Sequence, residues 1–198
     1  IPADVSVSRV SSDGETFAHV CIDDLRERRA AEQRIRQLLQ YDELTGLPNR
    51  QLLFERLGAM LQSSAPTAVL VLELDRFKRI NDAHGHAVGD QVLEHVASVI
   101  AAQARQADSV GRYGGDEFII VAPQSTLAGA AQAAERLRLA MEAEHIHARA
   151  SNLRVTLSIG VASTTSEDVA VADVLARADR ALYKAKARGR NRVQVMEG

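Results

Sequence analysis

A glycine pair, two carboxylates and an apolar run constrain the fold of this 198-residue chain more than any other feature. Gly114-Gly115 precedes Asp116-Glu117, and residues 118–122 continue as Phe-Ile-Ile-Val-Ala. Such a run is typical of a strand that leaves a tight turn. Adjacent carboxylates repel each other, so their position favours a cation or a reacting group over the turn. A solvated hairpin tip is the alternative interpretation of the turn taken alone.

The charge balance and the cysteine content exclude several classes of protein. The chain has 24 Lys and Arg against 26 Asp and Glu, a net charge of −2. This balance disfavours nucleic acid as the main partner, although a local basic patch could hold nucleotide phosphates. The single cysteine, Cys21, excludes an internal disulfide framework and leaves no cluster for a structural zinc.

The sequence contains no signal peptide and no apolar run of the roughly 20 residues that span a bilayer. We therefore expect a cytoplasmic domain. The chain begins with Ile1 rather than Met, so we expect it to be a piece of a longer protein. Any attachment to a membrane would be made by segments upstream.

The first 23 residues predict a β-hairpin. Residues 5–8 and 17–20 alternate loosely around an Asp13-Gly14 turn, which is typical of two paired strands. A lone hairpin is only marginally stable in water. We therefore interpret residues 1–23 as the end of a preceding domain.

Residues 24–41 predict a highly charged helix. Its apolar stripe is narrow and consists of Ala31, Ile35, Leu38 and Leu39. Such a stripe is too thin for a core helix and suits a linker or a short parallel coiled coil. A merely solvated spacer helix fits the pattern equally well.

Beyond residue 41 the pattern alternates between strands and helices. Asn49 is placed to cap a helix that runs to about residue 63. Residues 155–161 alternate strictly and predict a strand with one buried face. The remaining predicted strands lie at 67–74 and 193–195, with a hairpin at 112–122. Residues 75–90 predict a short helix, a Gly-punctuated turn and the start of a second helix that continues through Ile100, and further helices are predicted at 127–141 and 171–188. This order predicts an α/β sandwich around a central mixed, largely antiparallel sheet of about five strands.

Two acids lie at the end of the apolar run 67–74. Glu73 interrupts this run and Asp75 closes it. Both need partners, because burying an unpaired carboxylate costs several kcal/mol. If this strand pairs with the strand after the turn, Glu73 and Asp116 can approach one ion. Oxygen ligands of this kind suit Mg²⁺ or Mn²⁺, completed by phosphate oxygens and water.

A histidine pair offers a second possible metal site. The sequence His84-x-His86 could hold a transition metal. A lone pair of this kind in a turn is more often ordinary polar surface, and we favour that interpretation.

The turn is part of a longer pattern with a family resemblance. Arg112-Tyr113-Gly114-Gly115-Asp116-Glu117-Phe118 resembles the signature of the GGDEF family, the diguanylate cyclases. Three further blocks agree in order and spacing: Asp42-x-Leu44-Thr45-Gly46-Leu47-Pro48-Asn49-Arg50, Phe77-Lys78-x-Ile80-Asn81-Asp82-x-x-Gly85-His86-x-x-Gly89-Asp90 and Ala181-Leu182-Tyr183-x-Ala185-Lys186-x-x-Gly189-Arg190-Asn191.

The resemblance implies a division of the chain into three parts. It covers about residues 40–197, so we expect a GGDEF domain at 42–198. Residues 1–23 are similar to the end of a PAS sensor domain. Residues 24–41 are similar to the signalling helix that joins such a domain to a cyclase.

The resemblance also implies a fold and a reaction. The fold would be similar to the palm of nucleotidyl cyclases and polymerases. Two GTP molecules would condense to cyclic di-GMP with release of two pyrophosphates. Each subunit of a homodimer would hold one GTP, with the two active sites facing each other and the N-terminal helix joining the subunits. Metal ions would stabilise the nucleophile and the phosphate charge.

Residue roles follow from the same resemblance. Glu73 and Asp116 would be metal ligands, with help from the Leu74 carbonyl. Asp116 would also help to deprotonate the 3′-hydroxyl, and Glu117 would complete the catalytic acidic turn.

The substrate contacts also carry over from the resemblance. Asn81 and Asp90 would read guanine, because a carboxylate accepts from N1–H and the 2-amino group and rejects adenine. His86 would line the nucleotide site. The β- and γ-phosphates would be held by backbone amides and cations at Phe77, Lys78, Lys186 and Arg190.

A second site is implied by Arg105-Gln106-Ala107-Asp108. This segment resembles the family's RxxD motif, at which cyclic di-GMP inhibits its own synthesis. Arg105 would grip guanine or phosphate, and Asp108 would accept from the base. The alternative is a surface salt bridge at the end of a helix.

Glu73 departs from the family pattern, which usually has aspartate there. The longer side chain keeps the charge, but Mg²⁺ tolerates poor octahedral geometry badly. We therefore expect metal binding to persist and leave open a catalytically weak domain. Such a domain would bind GTP or cyclic di-GMP and regulate a neighbouring phosphodiesterase domain. A helical dimerisation device with a bystander domain is the third hypothesis, and it leaves Asn81 and Asp90 unexplained.

Overall fold

The computed structural model describes residues 3–12, 15–26, 31, 34, 38–61, 65–148, 151–165, 168 and 170–197. The chain divides into two compact units, Ile1–Leu39 and Gln40–Gly198. Among the described residues, no helix combines the length and the apolar character needed to cross a bilayer.

The first unit contains the predicted hairpin. Strand β1 (Ala3–Ser12) pairs antiparallel with β2 (Glu15–Asp24), and Val7 lies opposite Val20. This pairing confirms the hairpin, although its Asp13-Gly14 turn lies outside the described residues.

The helix predicted at 24–41 is shorter at both ends. Asp24 is the last residue of β2, and Tyr41, in the second unit, forms an isolated bridge with Pro48. Between these ends, positions 26, 31, 34 and 38–40 are helical. Ile35 of the apolar stripe lies outside the described residues, and Leu38 and Leu39 are exposed.

The second unit alternates between helices and strands. The helices are α1 (Arg50–Leu61), α2 (Phe77–His84), α3 (His86–Gln103), α4 (Leu127–Ala143) and α5 (Val171–Ala187). The strands are β3 (Thr67–Leu74), β4 (Ser109–Gly114), β5 (Glu117–Pro123), β6 (Ile146–Ala148), β7 (Ser151–Leu153), β8 (Leu157–Ser163) and β9 (Val193–Met196).

The central sheet has five strands in the order β4-β5-β3-β8-β9. Every neighbouring pair is antiparallel except β8 and β9, which are parallel. Strand β3 is central, and its apolar residues are buried on both faces. The predicted mixed, largely antiparallel sheet is therefore confirmed.

Helices cover both faces of the sheet. Leu70 and Leu72 of β3 pack on one face with buried residues of α3 and α4. Val69 and Val71 pack on the other face with α1 and α5. Alternate residues of one strand thus enter two separate apolar cores, which explains why residues 67–74 read as a continuous apolar run.

Two helix ends follow the sequence signals. The Asn49 side chain accepts a hydrogen bond from the Leu52 amide at 3.1 Å, which confirms the predicted cap of α1. Helix α5 carries Lys184 and Lys186 in its last turn and is followed shortly by Gly189, as predicted.

The prediction that residues 155–161 form a strand with one buried face is wrong. Strand β8 is buried on both faces, including Ser158 and Gly160. A Cβ atom on Gly160 would lie 2.1 Å from the Ala178 carbonyl oxygen and 2.3 Å from the Leu182 amide nitrogen. Gly160 lets the backbone of α5 pack directly against the strand. Ser158 is buried where its hydroxyl donates to Asp75.

The hairpin of β6 and β7 was not predicted. Each strand has three residues, too few to establish a period in the sequence. Ile146 is nonetheless buried in the core that also contains α3 and α4.

Candidate active site

The register of the central strands brings the predicted acids together. Glu73 of β3 lies directly opposite Glu117 of β5. The Leu74 amide donates to the backbone carbonyl of Asp116 at 3.2 Å, so the turn lies against the end of β3. The pairing on which the predicted juxtaposition depends is therefore present.

Lys186 supplies the partner that Glu73 requires. Its ammonium, carried by the last turn of α5, forms an ion pair with the Glu73 carboxylate. The two side chains are only 29% and 22% exposed, so the pair is largely shielded from solvent. The sequence assigns Lys186 to phosphates and gives no sign of this contact across 113 residues.

The turn carboxyl has a raised pKa. Burial raises the pKa of Asp116, and the neighbouring Glu73 raises it further. These effects outweigh the lowering by its own backbone amide, Lys186 and Arg112.

Two further carboxyls crowd the same place. Burial raises the pKa of Glu117, with additional repulsion from Glu73, Asp179 and Asp116. Burial also raises the pKa of Asp179 more than Lys186 lowers it. Asp179 was not singled out in the sequence, because it sits in an ordinary amphipathic helix and carries no motif. Four acids thus share one lysine, and a bound cation would relieve their repulsion.

The donor set fits a magnesium-like ion that is completed by substrate. Among the described residues, no group of three or more His, Cys, Asp and Glu side chains is arranged to hold a metal, and this includes His84 and His86. Glu73, Asp116 and the Leu74 carbonyl would supply an incomplete oxygen shell. Mg²⁺ commonly binds in this way, through one or two carboxylates plus waters and phosphate oxygens.

The burial of Asp116 and its repulsion by Glu73 predict a stability effect. Asp116 has a folded-state pKa above its ordinary value of 3.8, so its ionised form costs stability at neutral pH. We expect metal-free Asp116→Asn to have a higher Tm than the wild type at pH 7. The difference should shrink as the pH falls through the raised pKa toward 3.8, where the wild-type carboxyl is also neutral. Thermal unfolding in the presence of a chelator measures both, and an unchanged or lower Tm at pH 7 would contradict the expectation.

Arg112 fastens the turn to the segment that precedes α1. Its guanidinium donates to the Gly115 carbonyl at 2.7 and 3.0 Å and to the two Asp42 oxygens at 3.0 and 3.2 Å. Burial raises the pKa of Asp42, but hydrogen bonds from Thr45 and Arg112 outweigh burial and lower it overall. The Arg112–Asp42 ion pair thereby joins two of the sequence blocks, the one that begins at Asp42 and the one that begins at Arg112.

An aromatic stack supports the other side of the turn. The rings of Phe54 and Tyr113 lie 6.0 Å apart and nearly parallel. The Arg50 guanidinium lies 4.8 Å from the Tyr113 ring and 5.3 Å from the Phe54 ring. These contacts hold β4, which leads into the turn, against α1.

The predicted base-reading residues lie where α2 meets α3. Asn81 is half-buried, and its Oδ1 atom has no hydrogen-bond partner among the described residues. A Cβ atom on Gly89 would lie 1.9 Å from Asn81 Oδ1, so glycine here leaves room for the observed position of this side chain. Asp90 follows at once, and it is exposed, as is His86 at the start of α3. A buried acceptor without a partner is costly and is expected where a ligand supplies the donor.

Asp75 organises the segments beside the acidic turn. Its carboxylate accepts from Thr156 Oγ1 and Ser158 Oγ, each at 2.6 Å, and from the Asn191 amide at 3.0 Å. The sequence predicts that this acid needs a partner, and the structure supplies three. The bond to Asn191 holds the loop after α5 close to the end of β3.

Arg138 holds the same loop from the opposite side. It is 8% exposed, and it donates to Asn191 Oδ1 at 2.8 Å and to the carboxylates of Glu135 and Glu142. Arg190 and Asn191 both have positive φ, at 64° and 45°, a backbone conformation that needs such support. The sequence gives no signal for Arg138, whose position in an amphipathic helix predicts only surface or core.

The remaining predicted phosphate contacts lie at the start of α2 and in this loop. Phe77 is buried in the core, so only its backbone amide is free to meet a ligand. Lys78 and Arg190 are exposed.

Arg105 and Asp108 form a turn at the far end of α3. The Arg105 amide donates to the Asp108 carboxylate at 2.8 Å, and no ion pair joins their side chains. Both line a cavity of about 30 Å³ together with Arg136 of α4. Arg136 donates to the Gln103 carbonyl at 3.2 Å and was not anticipated from the sequence. No salt bridge joins these two described side chains, which counts against the alternative interpretation of this segment.

The mixed five-strand sheet flanked by helices has the palm-like fold of nucleotidyl cyclases, with an acidic turn at one end of the sheet. Residues 39–192 match the family described as diguanylate cyclase, GGDEF domain. The chain belongs to this family.

Two curated relatives are similar over most of the chain. Diguanylate cyclase DgcP of Pseudomonas aeruginosa is 37% identical over 193 residues, which are 96% of this chain and 27% of DgcP. The response regulator PleD of Caulobacter vibrioides is 39% identical over 164 residues, which are 79% of this chain and 36% of PleD. The chain thus spans about a third or less of the length of these relatives.

Solved structures agree with the fold. The coiled coil and GGDEF domain of DgcB from Caulobacter crescentus, solved in complex with c-di-GMP, has a TM-score of 0.81 at 31% identity. The match covers 86% of this chain and 93% of that one. Diguanylate cyclase SiaD from Pseudomonas aeruginosa, solved with its activator SiaC, has a TM-score of 0.77 at 33% identity, with 86% and 66% coverage.

Proposed function

We propose that this domain condenses two GTP molecules into cyclic di-GMP and releases two pyrophosphates. The observation that carries the proposal is the cluster of Glu73, Asp116 and Glu117 at one end of the central sheet. Such a cluster costs stability, and it is explained by chemistry on a phosphate-bearing, metal-bound substrate.

The acids and the cations take different parts in this reaction. When bound, Mg²⁺ or Mn²⁺ held by Glu73, Asp116 and the Leu74 carbonyl would supply charge stabilisation at the phosphates and the nucleophile. Asp116 accepts the proton of the 3′-hydroxyl, a role that its raised pKa favours. Glu117 keeps the turn acidic. Lys186, which pairs with Glu73, would also hold the β- and γ-phosphates and balance their charge.

Base and phosphate recognition come from the two helices and the loop. Asn81 offers its unpartnered Oδ1 to a guanine N–H, and Asp90 accepts from N1–H and the 2-amino group. His86 lines the nucleotide site. Phe77 and Lys78 contribute backbone amides to the phosphates. Arg190 adds a guanidinium from the loop that Asp75 and Arg138 hold.

The wider assembly is also part of the proposal. A homodimer, joined through the helix at 24–41, brings two GTP-loaded subunits face to face in the cytoplasm. Residues 1–23 are the end of a PAS-like sensor domain, and the hairpin exposes Val5, Val7 and Val20, apolar side chains that another surface could cover.

The reaction is tested by chromatographic product analysis. We expect purified protein with GTP and Mg²⁺ to form cyclic di-GMP, and the same protein with ATP to form no cyclic product. A matched sample without divalent metal should be inactive. Equal conversion of ATP would contradict the assignment of Asn81 and Asp90.

A second candidate function rests on Glu73. A catalytically weak domain would bind GTP or cyclic di-GMP and regulate a neighbouring phosphodiesterase domain. The Glu73–Lys186 ion pair favours it, because the longer carboxylate is engaged by a lysine rather than free for metal.

Glu73→Asp separates these two functions. The shorter carboxylate matches the family pattern and gives up reach toward Lys186, so we expect half-maximal activity at a several-fold lower Mg²⁺ concentration. Glu73→Gln, the charge control, should lose metal-dependent activity. The weak-domain alternative would be established if the wild-type protein binds GTP without forming cyclic di-GMP and the Glu73→Asp variant forms it.

Product inhibition is proposed at Arg105 and Asp108. The Arg105 guanidinium makes no ion pair with Asp108 and shares a cavity with Arg136, so two arginines can meet a cyclic dinucleotide phosphate. We expect Arg105→Ala to raise the concentration of cyclic di-GMP that halves the rate by about 10- to 100-fold. Arg180→Ala, which removes an exposed arginine outside this cavity, is the control. Equal inhibition of Arg105→Ala and the wild type would refute the site.

A further inference from the structure

A cavity of about 440 Å³ lies between α2, the segment before β8 and the loop after α5. Four guanidinium groups line it, those of Arg76, Arg79, Arg154 and Arg190, and Asp75 is the one acid among its lining residues. This density of positive charge stands out in a chain whose net charge is −2.

Among the described residues, the protein neutralises these arginines only in part. Asp75 brings one negative charge to the cavity, and its carboxylate accepts hydrogen bonds from Thr156, Ser158 and the Asn191 amide rather than from an arginine. Within the described parts of the chain, no ion pair joins Arg76, Arg79 or Arg190 to a carboxylate. Uncompensated positive charge of this kind attracts an anion from solution.

Arg154 and the start of α2 add to the attraction of this cavity for anions. Arg154 donates to His145 Nε2 at 2.6 Å, an imidazole contact that brings no negative charge to the guanidinium. Arg76 is the N-cap of α2, has a φ of 61° and makes no side-chain cap bond, so the positive end of the helix dipole adjoins the cavity.

The chemistry of the lining selects phosphate groups. Arginine forks bind pairs of phosphate oxygens more specifically than single-point cations do. The lining contains one aromatic ring, the His84 imidazole, against four guanidinium groups, so charge outweighs base stacking in what the cavity recognises. Through Arg190 it borders the residues to which the proposed function assigns the terminal phosphates of GTP.

We propose that this cavity binds a diphosphate group, and that Arg79 and Arg154 are its specific ligands. Its source is the pyrophosphate that leaves when the 3′-oxygen attacks the α-phosphorus, and this part rests on the proposed function. The site holds the leaving group beside the loop of Arg190 before release and makes pyrophosphate an inhibitor of the domain.

Binding is tested by titrating the metal-free protein with inorganic pyrophosphate in a calorimeter, with a chelator and 150 mM KCl. We expect the Kd to rise at least about tenfold in the double variant Arg79→Gln/Arg154→Gln. Arg180→Gln, an exposed arginine outside the lining, should leave the Kd unchanged. Equal affinity of the double variant and the wild type, or equal affinity for sulfate and pyrophosphate, would overturn the proposal.

A kinetic comparison distinguishes this site from the substrate's own phosphate contacts. In the double variant, the inhibition constant of pyrophosphate should rise with the calorimetric Kd, whereas KM for GTP should rise no more than about twofold. A parallel rise of KM would assign both arginines to bound GTP and overturn the separate site. Arginine-dependent pyrophosphate binding in a protein that forms no cyclic di-GMP would support the site and refute the proposed function.

Discussion

Asp116→Asn is expected to reduce cyclic di-GMP formation by about 10²–10⁴-fold or more. Asparagine has nearly the same shape but can neither accept the proton of a 3′-hydroxyl nor offer a charged oxygen to a cation. The rate is measured from cyclic di-GMP accumulated with saturating GTP and Mg²⁺.

The control for Asp116→Asn removes a different carboxylate from the same domain. Glu55→Gln alters an exposed residue of α1 and should retain the wild-type rate. Because Asp116→Asn is expected to be more stable than the metal-free wild type, unfolding would not explain its inactivity. Normal product formation by Asp116→Asn would refute the assignment of the acidic turn.

Asp75→Ala is expected to lower the free energy of unfolding by about 2–5 kcal/mol. The substitution leaves the Thr156 and Ser158 hydroxyls and the Asn191 amide without their common acceptor. The loop that carries Arg190 should also loosen, so KM for GTP should rise. Chemical denaturation measures the first effect and steady-state kinetics the second.

Two further variants test whether the loss of stability comes from the hydrogen bonds of Asp75. Glu94→Ala removes an exposed acid of α3 and should change stability by no more than about 0.5 kcal/mol. Asp75→Asn keeps the side-chain shape and one acceptor oxygen. Its loss of unfolding free energy should therefore fall between those of Glu94→Ala and Asp75→Ala. Wild-type stability in Asp75→Ala would show that the three hydrogen bonds do not hold the loop.

The meeting of Glu73 and Asp116 could be predicted because the strands that carry them have strong patterns. Each acid adjoins a buried apolar run, and pairing of the two runs places both acids at one end of the sheet. The family resemblance then implies one role for each residue, whereas the type of side chain alone is compatible with several roles. Nothing in the structure tests those roles, so they stay predictions.

What the sequence did not reveal depends on contacts between distant segments. Asp75 clearly needs a partner, but Thr156 and Ser158 lie 81 and 83 residues away and carry no recognisable motif. The same holds for Arg138, which meets Asn191 across 53 residues. Such pairs are set by how helices and loops pack on the sheet, which local periodicity does not encode.

Small residues account for the clearest misreading. Ser158 and Gly160 look like the polar face of a half-buried strand, because their own surfaces are not apolar. Gly160 is buried because the backbone of α5 approaches within the space that a Cβ atom would fill. Close approach of two backbones thus changed an expected exposed face into a second buried one.

The central claim is that the acidic cluster turns GTP into cyclic di-GMP, and the stoichiometry of one reaction tests it most directly. Cyclic di-GMP and pyrophosphate are quantified together after incubation of the wild-type protein with GTP and Mg²⁺. We predict two pyrophosphates for each cyclic di-GMP, with neither product formed by Asp116→Asn. Saturable GTP binding with no pyrophosphate released by the wild type would contradict the claim.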